Sequence, residues 1–78
     1  MFEQISVDPQ ICGGKPCIKG TRIPVYMLLE LLEQGLNFQQ IIQNYYPQID
    51  VEQIKACIHY ANALVQDEEI YYAEELAL

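Results

Sequence analysis

The side chains of widest chemical range in this sequence are three cysteines, Cys12, Cys17 and Cys57, and one histidine, His59. A closed zinc site takes four ligands, usually as two close pairs. Cys12 and Cys17 could supply one pair, with four residues between them. Cys57 and His59 are two positions apart, and on a helix that spacing aims them in different directions. No metal is therefore expected, and the thiols read as small apolar packers in a reducing compartment. A Cys12–Cys17 disulfide could close, but three cysteines do not make a paired framework, so none is expected to be required. Gly13-Gly14-Lys15-Pro16 has the parts of an anion nest: glycines, backbone N–H groups and a lysine. It lacks the spacing of a nucleotide-binding loop, G-x-x-x-x-G-K-[ST], so its candidate ligand is a single phosphate. The single histidine has no third group placed to orient it beside a nucleophile, and no enzymatic activity or cofactor is expected.

The charge is unevenly spread. Of a formal net charge of −7, residues 1–24 carry +1 (Lys15, Lys19 and Arg22 against Glu3 and Asp8), and residues 25–78 carry −8 (Lys55 against nine acids). Indiscriminate nucleic-acid binding needs clustered Lys and Arg, so an acidic chain can touch DNA only locally, through this N-terminal cluster. The acidic remainder suits a basic protein surface or simple solubility. No apolar run approaches the roughly 18 residues that span a bilayer, and the N-terminus has no basic-then-apolar leader. A cytoplasmic protein without membrane association is expected.

Three elements must position these groups. Ile5 and Val7 alternate with Ser6 before an Asp8-Pro9 turn, which predicts a short strand. Ile18 and Ile23 flank Lys19-Gly20-Thr21-Arg22, the pattern of a hairpin. Pro24 suits the first turn of a helix carrying Leu28, Leu29, Leu31 and Leu32, with Gly35 as its C-terminal cap. Phe38, Ile41, Ile42 and Tyr45 make the stripe of a second helix, ended by Pro47. Val51, Ile54, Cys57, Ile58, Ala61, Leu64 and Val65 make the apolar face of a third. Asn37 with Gln40, and Asp50 with Gln53, are capping-box pairs inside the staples Leu36–Ile41 and Ile49–Ile54. Two helices of defined start across a short turn form a helix-turn-helix candidate, although any small three-helix bundle needs such turns.

The expected architecture is one mainly α domain: an extended basic arm over 1–24, a three-helix bundle over 25–65 and an acidic helical tail over 66–78. Opposite the apolar face of the third helix lie Glu52, Lys55, His59 and Asn62, with Gln53 beside them. Gln and Asn can read adenine, and Lys can meet guanine or phosphate. Gln53, Lys55 and His59 join Lys15, Lys19 and Arg22 as candidate nucleic-acid contacts. In the tail, Ile70, Tyr71, Tyr72 and Leu76 are candidate partner contacts, more apolar surface than a small bundle readily covers, and a homodimer is expected.

The stretch CGGKPCIKGTRIPV resembles the signature of the small prokaryotic family called domain of unknown function 433. The matching positions are Ile5, Asp8, Pro9, Gly13, Gly14, Lys15, Pro16, Ile18, Gly20, Thr21, Arg22, Ile23 and Val25, and the likeness runs on to about residue 62. Cys17 falls at a variable place in that pattern. The resemblance implies a homeodomain-like three-helix fold with a short N-terminal β element. It also implies the antitoxin half of a type II toxin–antitoxin pair, of VapB type, beside a PIN-like ribonuclease. On that expectation the protein binds its own promoter and masks a toxin. The rival expectation is a module that neutralises its partner and never touches DNA.

Overall fold

β1 (Ile5–Ser6) pairs antiparallel with β2 (Cys17–Ile18), with Ile5 opposite Ile18 and Ser6 opposite Cys17. This computed structural model describes the backbone of residues 2–76 and the side chains of residues 2–67. Between the strands the chain turns at Asp8, whose carboxylate accepts from the Gln10 N–H at 2.9 Å, and again in a 3-10 turn at Cys12–Gly14. Cys12 is the one described non-glycine residue in the left-handed region, at φ +55°. That turn carries Cys12 back to Cys17 and brings their sulfurs together, the pair that the sequence leaves able to close. As a thiol, Cys17 would have the Lys15 carbonyl 3.7 Å away to donate to. A further antiparallel bridge joins Cys17 to Pro24, so the hairpin around 19–22 forms.

Helix α1 (Val25–Glu33) begins one residue after Pro24, which stands as N-cap rather than inside the first turn. It ends at Gly35, where the Leu36 N–H reaches back to the Leu31 carbonyl and the Gly35 N–H to Leu32. This paired closure needs a left-handed residue, and Gly35 adopts φ +98° at no side-chain cost. Helix α2 (Phe38–Asn44) and helix α3 (Val51–Leu76) open with the reciprocal bonds that the sequence predicts. Asn37 and Gln40 exchange bonds of 2.8 Å, and Asp50 and Gln53 exchange bonds of 2.8 and 2.9 Å. Each box satisfies two N–H groups that the first helical turn would leave unpaired.

The core draws fully buried residues from four elements: Ile18 from β2, Leu28 from α1, Ile41 from α2, and Ile54 and Cys57 from α3. Helix α1 packs on both α2 and α3, and β1 lies on α3. Within the expected basic arm, Cys17, Ile18 and Ile23 are core residues. Helix α3 runs through residue 66 without a break, joining the expected bundle to the expected tail. Its 26 residues measure roughly 39 Å, close to the 46 Å long axis of the molecule. The radius of gyration is 14.1 Å, against about 11–12 Å for a compact chain of this length, so α3 reaches past the globule.

Burial pushes the Cys57 thiol from 9.0 up to about 11. Between those values the unfolded chain releases a proton that the folded chain keeps. The resulting stability is complete below about pH 9 and is lost as pH rises through about 11. Urea midpoints of the wild type are expected to fall across this window more steeply than those of Cys57→Ala. Equal slopes for the two chains would show that Cys57 does not carry the effect.

Candidate nucleic-acid interface

The loop from Lys19 to Arg22 is built by one threonine and one glycine. The Thr21 hydroxyl donates to the Ile18 carbonyl at 2.7 Å and accepts from the Ile23 N–H at 3.1 Å. The Thr21 N–H meets the same carbonyl at 3.0 Å, and the Ile18 N–H closes the loop on the Ile23 carbonyl at 3.0 Å. Gly20 supplies the left-handed step, φ +81°, that this tight return requires. With Ile18 and Ile23 anchored in the core, Lys19 and Arg22 are held outside, both exposed. The one ion pair among the described residues is Lys55–Glu52 at 4.0 Å, so Arg22 has no acidic partner within that part of the protein.

Lys15 is placed differently. Gly13 and Gly14 complete the turn that leads to it, and the Pro16 carbonyl accepts from the Val25 N–H at 2.9 Å, tying the loop to the start of α1. The Lys15 ammonium lies 5.7 Å from the centre of the Tyr26 ring, within cation–π range. It thus sits at the rim of a cleft of about 320 Å³ whose walls include Val25, Tyr26 and Leu29 of α1 and Ala61 and Leu64 of α3. The three cations are exposed and belong to the same folded segment, but Lys15 is shared with this apolar surface.

The polar face of α3 is partly engaged. The Gln53 amide oxygen accepts from the Asp50 N–H, which takes up one of its two lone pairs and holds the side chain at the cap. Lys55 is drawn toward Glu52. The His59 ring packs on Phe2 at 5.3 Å, and Tyr60 meets the same Phe2 edge-on at 5.1 Å. Asp50 and Glu52 sit favourably at the positive end of α3, and the same charges repel a phosphate there. Lys55 and His59 share a face of α3, Gln53 lies about 160° around the helix from Lys55, and the three form no cationic patch. The side chains of Ile70, Tyr71, Tyr72 and Leu76 lie outside those described.

The cleft was not foreseen. Its signal was in α1, where Tyr26, Met27 and Leu29 stand off the stripe of Leu28 and Leu31. A helix apolar on more than one side has more than one surface to cover. Tyr26 and Met27 are 47% and 42% exposed, so that cover is incomplete.

Comparison with known proteins gives the same outline. The family described as "Protein of unknown function (DUF433)" matches over residues 5–61. An uncharacterized protein, y4eO, of Sinorhizobium fredii (strain NBRC 101917 / NGR234) is 33% identical over 61 residues, which are 78% of this chain and 27% of that protein. The chain thus spans about a quarter of the length of that relative. The crystal structure of a DUF433 member protein from Anabaena variabilis ATCC 29413 superposes with a TM-score of 0.69 at 31% identity. The match covers 96% of this chain and 69% of that one.

Proposed function

The chain belongs to the DUF433 family, and from that premise we propose that it is a homodimeric, non-enzymatic antitoxin that contacts its own promoter and neutralises a PIN-like ribonuclease. On this reading the fold is homeodomain-like, with α2 and α3 as the helix-turn-helix pair. Lys19 and Arg22, with Lys15 beside them, take phosphates, while Gln53, Lys55 and His59 face the bases. The distal part of α3 covers the toxin, and the protein works in the cytoplasm. What supports the reading is the pair of reciprocally capped helix starts at Asn37 and Asp50, together with a hydrogen-bonded loop that holds two exposed cations. Phosphate contacts set the register of such a protein on DNA, and base contacts specify the sequence.

The second reading is a module that binds and neutralises a partner protein without DNA. It is favoured by the net charge of −7 and by α3, where Gln53, Lys55 and His59 already have partners inside the protein. A mobility-shift assay on the protein's own upstream DNA at about 50 mM salt, where screening is weak, separates the two. A sequence-dependent shift is expected, alone or with the product of the neighbouring reading frame. No shift in either case leaves the second reading standing.

A further inference from the structure

We propose that the cleft between α1 and α3 is filled by a second copy of this chain, through an antiparallel pairing of the two α3 helices about Leu64. The proposal rests on the homodimer of the functional reading and names its surface. One wall of the cleft is α3 itself, through Ala61 and Leu64, and the other is the Tyr26 side of α1. Leu64 and Val65 are 48% and 55% exposed, on a helix that continues to residue 76 beyond the globule. An apolar groove and an apolar helix segment able to fill it therefore lie on one continuous surface. A two-fold axis requires such a self-complementary surface, because each patch must meet its own copy.

Charge selects the occupant and its direction. Lys15 stands at the rim, over Tyr26. Asp67 is exposed and lies three residues beyond Leu64, so the two share a helix face. With the helices antiparallel, Leu64 of each copy enters the cleft of the other, and each Asp67 is carried back along α3 toward the Lys15 end of its partner's cleft. The small Ala61 side chain lets the helix axes approach to about 8–10 Å. A parallel pairing would instead bring Asp67 beside its own copy, a like-charge contact. A helix from a basic protein would meet Lys15 with the wrong sign. On this pairing Lys15 leaves the phosphate-binding set of the functional reading, and the loop cations Lys19 and Arg22 remain for DNA.

Sedimentation equilibrium of the full chain at tens of micromolar tests this. The wild type is expected at about 18 kDa, twice the 9.0 kDa chain. Leu64→Asp is expected to weaken association by about a hundredfold or more, with the helical circular dichroism retained because Leu64 is outside the core. Lys15→Glu is expected to weaken it by about tenfold, and Lys15→Glu with Asp67→Lys to restore it. A wild type sedimenting at 9.0 kDa overturns both the dimer and this surface, and leaves the cleft to a different protein. A dimer that survives both Leu64→Asp and Lys15→Glu keeps the dimer and overturns the surface.

Discussion

Ile54→Ala is expected to cost about 2–5 kcal/mol of stability, the range for deleting three carbons from a packed interior. Ile54 is fully buried where α3 begins, in the cluster that holds Ile18, Leu28, Ile41 and Ile49. It is also the inner half of the staple with Ile49, one residue after the Asp50–Gln53 box, so the cavity would open where the chain enters its longest helix. A domain of this length holds roughly 4–12 kcal/mol in total, and the loss is a large share of it. Urea unfolding at fixed protein concentration should show a lower midpoint with an unchanged slope. Ile58→Ala, one turn on and 39% exposed, should cost about 1 kcal/mol or less. Equal losses at the two positions would mean that the core is not centred at Ile54.

The contrast between Ile54 and Ile58 also shows what the sequence could and could not convey. Both belong to one 3.6-residue stripe, and periodicity assigned both to the buried face. Only Ile54 and Cys57 of that stripe are fully covered, while Ile58, Leu64 and Val65 are exposed. Periodicity names a face, but what covers that face is set by elements distant in the chain. Features fixed by neighbours two to five residues apart were legible: both capping boxes, the Gly35 closure and the turn at Asp8. The hairpin at Lys19–Arg22 was legible for the same reason.

Pairings across a longer separation were not legible. Ile5 meets Ile18 across thirteen positions, and β2 brings Cys17 and Ile18 of the expected arm into the core. The cleft likewise joins distant segments, because Lys15 and Pro16 line it together with Tyr26 of α1 and Leu64 of α3. From the sequence Gln53 reads both as a cap and as a candidate base-reading group, and the cap is the one the structure shows. That its carbonyl is committed to the first role required the geometry.

Lys19→Ala with Arg22→Ala is expected to weaken binding to every DNA sequence alike and to flatten its salt dependence. Each phosphate neutralised contributes about −0.9 to the slope of log K against log salt. Three cations per chain, doubled in a dimer, give a limit of roughly −5. If Lys15 is held by the partner copy, four cations remain and the wild-type slope is about −4. The double variant should then bring it close to zero, or to about −2 if Lys15 also touches DNA. The slope therefore counts the cations and decides where Lys15 belongs. The fold should survive the change, since both side chains are exposed and the loop bonds are made by Thr21 and backbone groups. Gln53→Ala should behave in the opposite way, with the salt slope kept and discrimination at one base position relaxed by about 1–3 kcal/mol. Because it also removes half of a capping box, its stability must be measured beside its affinity. A double variant with the wild-type salt slope would place the phosphates away from the Lys19–Arg22 loop and remove the only local positive feature through which so acidic a chain could hold DNA.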